Sequence, residues 1–201
     1  MSQQLEQKKE SRARLLMSAA RGFRSHGYEG LGVDRLAKEA GLTSGAFYAH
    51  YKSKAAAFRE VVVAGMEDLR AGIDRMRRTH GGDWRKSFVY FYLSERRTCK
   101  SGDACALQSL TDEVARADDE IRDVYEAELR KIIDITAAGM RFETAEGRKK
   151  EATALLALLA GGVSLARAVR DPAMSENIAS SVRWATTRLE QNVETSTKKH
   201  E

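Results

Sequence analysis

Residues 32–51 read Gly-Val-Asp-Arg-Leu-Ala-Lys-Glu-Ala-Gly-Leu-Thr-Ser-Gly-Ala-Phe-Tyr-Ala-His-Tyr, and their spacing decides the fold. Val33, Leu36, Ala37 and Ala40 fall at i, i+3, i+4 and i+7, one face of a short helix, and Gly41 ends it. Thr43 opens a second short helix, because its hydroxyl accepts a hydrogen bond from an unpaired N–H of the first turn. Phe47 and Tyr51 stand four apart and turn inward; Thr43, Ser44, Gly45 and Tyr48 project outward. Ala37 and Gly41 permit close approach of the crossing helices, and Leu42 plugs the corner. The pattern is helix, glycine turn, helix. Small polar groups on the leading turn suit a helix that enters a major groove, since bulk there holds it off the base edges. Gly45 lets backbone come close, and Lys54 is placed to neutralise a phosphate. Two ordinary short helices of a bundle would read the same way, so charge has to arbitrate.

The 201-residue chain has a formal net charge of +5. Residues 1–60 hold 11 Lys/Arg against 6 Asp/Glu, and the other 141 hold 23 of each. All the excess positive charge therefore sits in the segment that contains the motif, which suits a polyanion-binding head on a neutral body. Lys8, Lys9 and Arg12 precede the first apolar stripe. They reach phosphates or a minor groove, or they form a solvated leader; the sequence leaves both open.

Outward from the motif, the chain reads as all-α. Hydrophobic residues make up 42% and charged residues 31%, and Pro172 is the single proline. About nine helices are expected, over 11–26, 33–40, 43–51, 54–78, 84–96, 104–116, 119–142, 145–170 and 175–192. Leu15, Leu16, Ala19, Ala20 and Phe23 form the first apolar stripe. Asp171-Pro172 breaks the eighth helix, and Ser175 caps the ninth. This gives a three-helix head over 9–69, with its helix-turn-helix at 32–51, a larger body over 70–192, and a disordered polar tail over 193–201. The longest apolar run, Ala154 to Val163, has ten residues, short of the ~20 that span a bilayer. The polar start carries no secretory signal, so the expected location is the cytoplasm, with no membrane partner.

The run Ala40-Gly41-Leu42-Thr43-Ser44-Gly45-Ala46-Phe47-Tyr48-Ala49-His50-Tyr51-Lys52-Ser53-Lys54, preceded by Val33-Asp34-Arg35-Leu36-Ala37, closely resembles the TetR family of bacterial transcriptional repressors. The opening Leu15-Leu16-x-x-Ala19-Ala20-x-x-Phe23 and His26-Gly27-Tyr28 is similar to that family's first helix, so the motif covers residues 12–60. The Asp171 to Ser175 corner is similar to the link between its last two helices. The resemblance implies a homodimer whose two recognition helices enter successive major grooves of a palindromic double-stranded DNA operator. By position it makes Thr43 a cap that touches backbone or base, Ser44 the variable reading position and Gly45 the point of close approach. Tyr48 and His50 become phosphate contacts, and Lys54 the phosphate-anchoring lysine. Replacing Tyr48 or Lys54 by Ala is then expected to weaken DNA binding and leave the thermal melt nearly unchanged. Gly32 departs from the family's capping Thr, and Ala55 and Ala57 from its usual acid and leucine. The recognition helix carries no Arg, Asn or Gln, so bidentate base contacts are scarce. Specificity is left to Ser44, to contact of Ala46 with a thymine methyl, and to DNA shape.

In the body, Phe88, Phe91 and Tyr92 either fill core or line a cavity; the resemblance implies an inducer pocket here, with Gln108, Arg122 and Tyr125 as polar handles. The eighth helix is apolar around most of its circumference and must be covered on every side, either within one subunit or, with the ninth, by a second copy. A palindromic operator requires that two-fold dimer through the last two helices. Cys99 and Cys105 flank a basic stretch that favours thiolate, which suits a redox pair, or they are a half-exposed and a packed thiol without a role. Their spacing is poor for zinc. No phosphate loop, His-Glu-x-x-His or Glu-x-x-His is present, so neither enzyme activity, metal nor cofactor is expected. The expected function is a sequence-specific regulator, a repressor released by a small ligand. The rivals are a non-specific architectural DNA binder and a helical ligand-binding bundle with no DNA role.

Overall fold

A computed structural model describes residues 2–197, with side chains described over 3–190. Every regular element among them is helical: α1 (Ser2–His26), α2 (Val33–Glu39), α3 (Ser44–Tyr48), α4 (Lys54–His80), α5 (Trp84–Phe91), α6 (Ala106–Ser109), α7 (Thr111–Ala115), α8 (Asp119–Ala137), α9 (Ala145–Ala168) and α10 (Pro172–Thr197). A π turn over Tyr92–Arg96 continues α5, and 3-10 turns occupy Gly81–Asp83 and Ser101–Asp103. The expected sixth helix is split into α6 and α7 at Leu110. The elements gather into two compact units. One holds residues 1–66 and 100–126, the other 67–99 and 127–201. Residues 100–126, read from sequence as body, thus belong to the unit that contains the head.

In the first unit the core is built by the stripes seen in the sequence. Leu15, Ala19 and Phe23 of α1, Leu36 and Ala37 of α2, and Phe47 of α3 are buried, as are Phe58, Val61 and Met66 of α4. Leu107, Leu110, Val114 and Ile121 add the layer from 100–126. The corner between α2 and α3 is fixed by a Schellman pair: the Leu42 N–H donates to the Ala37 carbonyl (2.9 Å) and the Gly41 N–H to that of Lys38 (2.9 Å). Gly41 sits at φ +68°, in the left-handed region open to glycine. The Arg14 guanidinium donates to the Ala40 (2.6 Å) and Gly41 (3.0 Å) carbonyls just past that helix end.

The second unit packs α9 against α10. A Cβ at Gly162 would lie 2.6 Å from Val182 Cγ2, so this glycine lets the two axes approach, whereas nothing stands within 4 Å of one at Gly161. At its centre the buried Arg85 donates to the Glu151 carboxylate and to the Thr186 carbonyl (2.9 Å). α10 starts three residues before the expected Ser175. The Asp171 carboxylate accepts the Ala173 N–H (2.9 Å), and Pro172 fills the first helical position, where its missing N–H costs nothing. Ser175 is buried instead, donating to the Ala166 carbonyl (2.8 Å). α10 continues to Thr197, so only 198–201 of the expected tail lie outside the described residues.

α9 is, by length and composition, long and apolar enough to cross a membrane. The unbroken run Ala154 to Val163 is shorter because Thr153 and Ser164 bound it, whereas the longer window tolerates these polar residues. One face of it (Ala152, Leu155, Leu156, Leu159, Val163, Ala166) is buried in this unit. The opposite face exposes Ala157, Gly161, Leu165 and Ala168 at helical spacing, and α10 exposes Met174 and Trp184.

Candidate nucleic-acid interface

The surface around α3 follows from how that helix is pinned. Thr43, in extended conformation, accepts the Ala46 N–H on Oγ1 at 3.2 Å, which is the cap expected from its residue type. Phe47 is fully buried and Tyr51 nearly so, their ring centroids 5.3 Å apart. Burial, with the Glu60 charge beside it, pushes the Tyr51 hydroxyl up to about 12, so it stays protonated. With that face inward, Thr43, Gly45, Tyr48 and Ala49 are exposed. Tyr48 is 58% exposed, its ring edge-on to Phe47 at 5.5 Å. Gly45 meets only Thr43 Oγ1, 3.8 Å from where a Cβ would stand. Ser44 is half-buried and its hydroxyl donates to the Asp34 carboxylate of α2, a tie the sequence did not reveal because it joins residues ten apart across the turn.

His50 and Lys54 flank this surface. His50 is half-buried, with Nε2 2.8 Å from the Ser11 hydroxyl. Its pKa is held below the ordinary histidine value by burial and then by the charges of Lys8 and Arg12. Lys54 is more constrained than the sequence suggested. Its ammonium donates to the Tyr28 carbonyl at 2.8 Å and lies 4.1 Å from the centroid of the Tyr28 ring. Tyr28 in turn stacks on Phe23 at 5.8 Å and meets Phe58 at a tilt at 5.0 Å. Lys54 therefore clips the start of α4 to the end of α1, and its replacement must affect stability. Of the six residues read from the sequence as DNA contacts, Thr43, Gly45 and Tyr48 are exposed, whereas Ser44, His50 and Lys54 are half-buried.

The other expected sites are dispersed. Phe88, Phe91 and Tyr92 belong to the second unit and Gln108, Arg122 and Tyr125 to the first. Phe88 and Tyr92 are buried core neighbours (5.5 Å), and the Tyr125 hydroxyl bonds Thr111 (2.8 Å). Of the six, Phe91 lines a cleft of about 800 Å³ in the second unit, between the end of α4 (Met76, His80), α5 (Val89, Tyr90) and α10 (Arg183, Thr187). Sequence reading missed this cleft because one of its walls comes from the last helix, far along the chain. Cys99 and Cys105 are free thiols, both half-buried, and fall in different units. The Cys99 thiol donates to the Arg96 carbonyl (3.3 Å). Among the described residues no three or more His, Cys, Asp or Glu gather as a metal site would need.

A capped, half-exposed second helix set by a glycine corner makes α2 and α3 a helix-turn-helix. Residues 15–61 match the model of the bacterial regulatory proteins of the tetR family. No curated protein matches the chain. Among solved structures it resembles a TetR-family transcriptional regulator from Agrobacterium tumefaciens (TM-score 0.75, 16% identity, covering 90% of this chain and 98% of that one). A TetR-family regulator from Streptomyces coelicolor is similar at TM-score 0.72 and 18% identity, over 90% and 97% of the two chains. The reduced form of NemR from E. coli is similar at 0.70 and 20%, over 86% and 94%. Residues 15–61 thus carry the family's N-terminal signature, and the chain as a whole shares the fold of these regulators.

Proposed function

We propose that this protein is a homodimeric repressor that binds a palindromic operator through α3 of each subunit and is released by a small ligand. The observation that carries the DNA reading is the division of α3: Phe47 is buried while Gly45, Tyr48 and Ala49 face solvent beside a basic segment. Thr43, Ser44 and Gly45 form the leading turn offered to the groove, and Tyr48, His50 and Lys54 reach the phosphates alongside.

The dimer reading is supported by the exposed apolar row on α9 (Ala157, Gly161, Leu165) with Trp184 and Met174 on α10. A second copy related by a two-fold axis covers such a row with itself. The cleft lined by Tyr90, Phe91 and Met76 falls in the ~300–1,000 Å³ range of small-molecule sites. We assign ligand binding to it, so that Phe91 alone of the six residues read from the sequence is kept. Release then follows by population shift: a ligand that prefers the form with wrongly spaced heads lowers operator affinity by its differential affinity for the two forms, and by no more.

The test is selection of bound duplexes from a random pool, followed by competition of the winner against its scrambled sequence. Enrichment of a palindrome that outcompetes the scramble is the expected result. Equal competition identifies an architectural binder, and an absence of salt-dependent binding identifies a bundle with no DNA role.

A further inference from the structure

We propose that the N-terminal extension of α1 and His50 together form a second phosphate clamp, which grips the duplex backbone beside the recognition helix. This rests on the DNA-binding reading above and adds to it where much of the head's electrostatic affinity originates.

α1 begins at Ser2, more than three turns before its apolar stripe starts at Leu15, and residues 3–10 are exposed throughout. Leu5, Lys8, Lys9 and Arg12 stand at i, i+3, i+4 and i+7, so one face of this extension carries three cations in a row. That face and the end of α3 enclose an open groove of about 310 Å³, lined by Leu5, Lys8, Lys9, Arg12, Ala49 and His50. The groove is not a slack surface. Arg12 is held by Glu60 of α4 at 2.6 Å and stacks over the Tyr51 ring at 5.3 Å, and Ser11 Oγ fixes the His50 ring at 2.8 Å. Lys9 makes only a loose pair with Glu6, at 3.8 Å and largely in solvent, worth little against a polyanion.

A head that binds duplex has to draw its sequence-independent affinity from cations that displace condensed counterions. On this head α3 (Ser44–Tyr48) carries none, and part of the Lys54 charge is already taken up by the Tyr28 carbonyl and ring. The groove at the end of α3 is lined by the cations Lys8, Lys9 and Arg12 of the α1 extension. A phosphate in the groove meets Lys8 and Lys9 from one wall and the His50 ring from the other. Lys8 and Arg12 of α1, with Glu60 of α4 behind Arg12, are the charged groups that face His50, and their net positive charge favours its neutral form. A phosphate reverses that balance, so binding takes up a proton on His50.

The clamp is tested on the full-length protein with a duplex selected from the random pool, by anisotropy titration over a salt series. Each phosphate contact contributes a slope of about −0.9 in log Kobs against log salt. The double variant Lys8→Gln/Lys9→Gln should therefore flatten the slope by about 1.8 per subunit, about 3.6 per dimer, with the ratio of selected to scrambled affinity unchanged, because phosphate contacts carry no sequence. In the wild type affinity should rise as pH falls through the histidine range, and His50→Gln should abolish that rise. An unchanged slope in the double variant overturns the clamp while the DNA reading stands. So does a collapse of the selected-to-scrambled ratio, since the lysines would then be reading bases. A wild-type protein that binds no duplex removes the DNA reading, and the clamp with it.

Discussion

Lys54→Met separates the structural from the DNA-binding work of the lysine at the start of α4. The methionine keeps most of the apolar stem but deletes an ammonium that donates to the Tyr28 carbonyl at 2.8 Å and lies 4.1 Å from its ring centroid. A hydrogen bond from a charged donor contributes ~1.5–3 kcal/mol, and a partly exposed cation–π contact ~0.5–1 kcal/mol. One ammonium makes both, so they are not additive, and a loss of about 2 kcal/mol is expected. At ~2–4 °C per kcal/mol for a chain of this size, the melting temperature should fall by about 4–8 °C. The neighbouring Lys52 is exposed, and Lys52→Met should stay within about 0.5 kcal/mol of the wild type. Calorimetry of the three proteins side by side makes the comparison. If Lys54→Met melts with Lys52→Met and the wild type, the clip from α4 to Tyr28 stabilises nothing, and the expectation from sequence of an unchanged melt is restored.

Glu151→Ala strands the buried Arg85 and should cost about 3–5 kcal/mol, whereas Arg85→Met/Glu151→Leu should recover most of that loss in urea titrations. Leu165→Glu/Trp184→Glu places charge on two exposed apolar positions, and sedimentation should show monomers that remain folded. Since the folded-state pKa of His50 is lowered, the unfolded chain binds the proton more readily. The stability this represents is complete above the unfolded value of about 6.5 and is lost as pH falls through it. His50→Gln should accordingly shrink the acid-side loss of stability, and an unchanged acid limb would contradict the assignment.

The helix-turn-helix was legible because its determinants are local. The cap by Thr43, the left-handed Gly41 and the pair Phe47 and Tyr51 each act within a few residues, so spacing alone exposes them. What the sequence concealed depends on partners distant along the chain. Nothing near Lys54 announces the Tyr28 carbonyl 26 residues away, and nothing near Ser44 announces Asp34. The cleft beside Tyr90 needs a wall from α10, and the grouping of 100–126 with the head is a property of three-dimensional packing. Helix starts were misjudged where apolar periodicity was the guide: α1 begins without an apolar stripe, and α10 begins at Pro172, whose breaking of α9 was read but whose fitness for a first helical turn was not.

Photo-crosslinking from position 48 asks whether the exposed face of α3 lies against duplex DNA once per subunit. With Tyr48 replaced by benzoylphenylalanine in the full-length protein on a selected duplex, crosslinks should fall at two symmetry-related positions whose centres lie about 34–36 Å apart, one helical turn. Crosslinks confined to protein, or scattered along the duplex without symmetry, would contradict that placement.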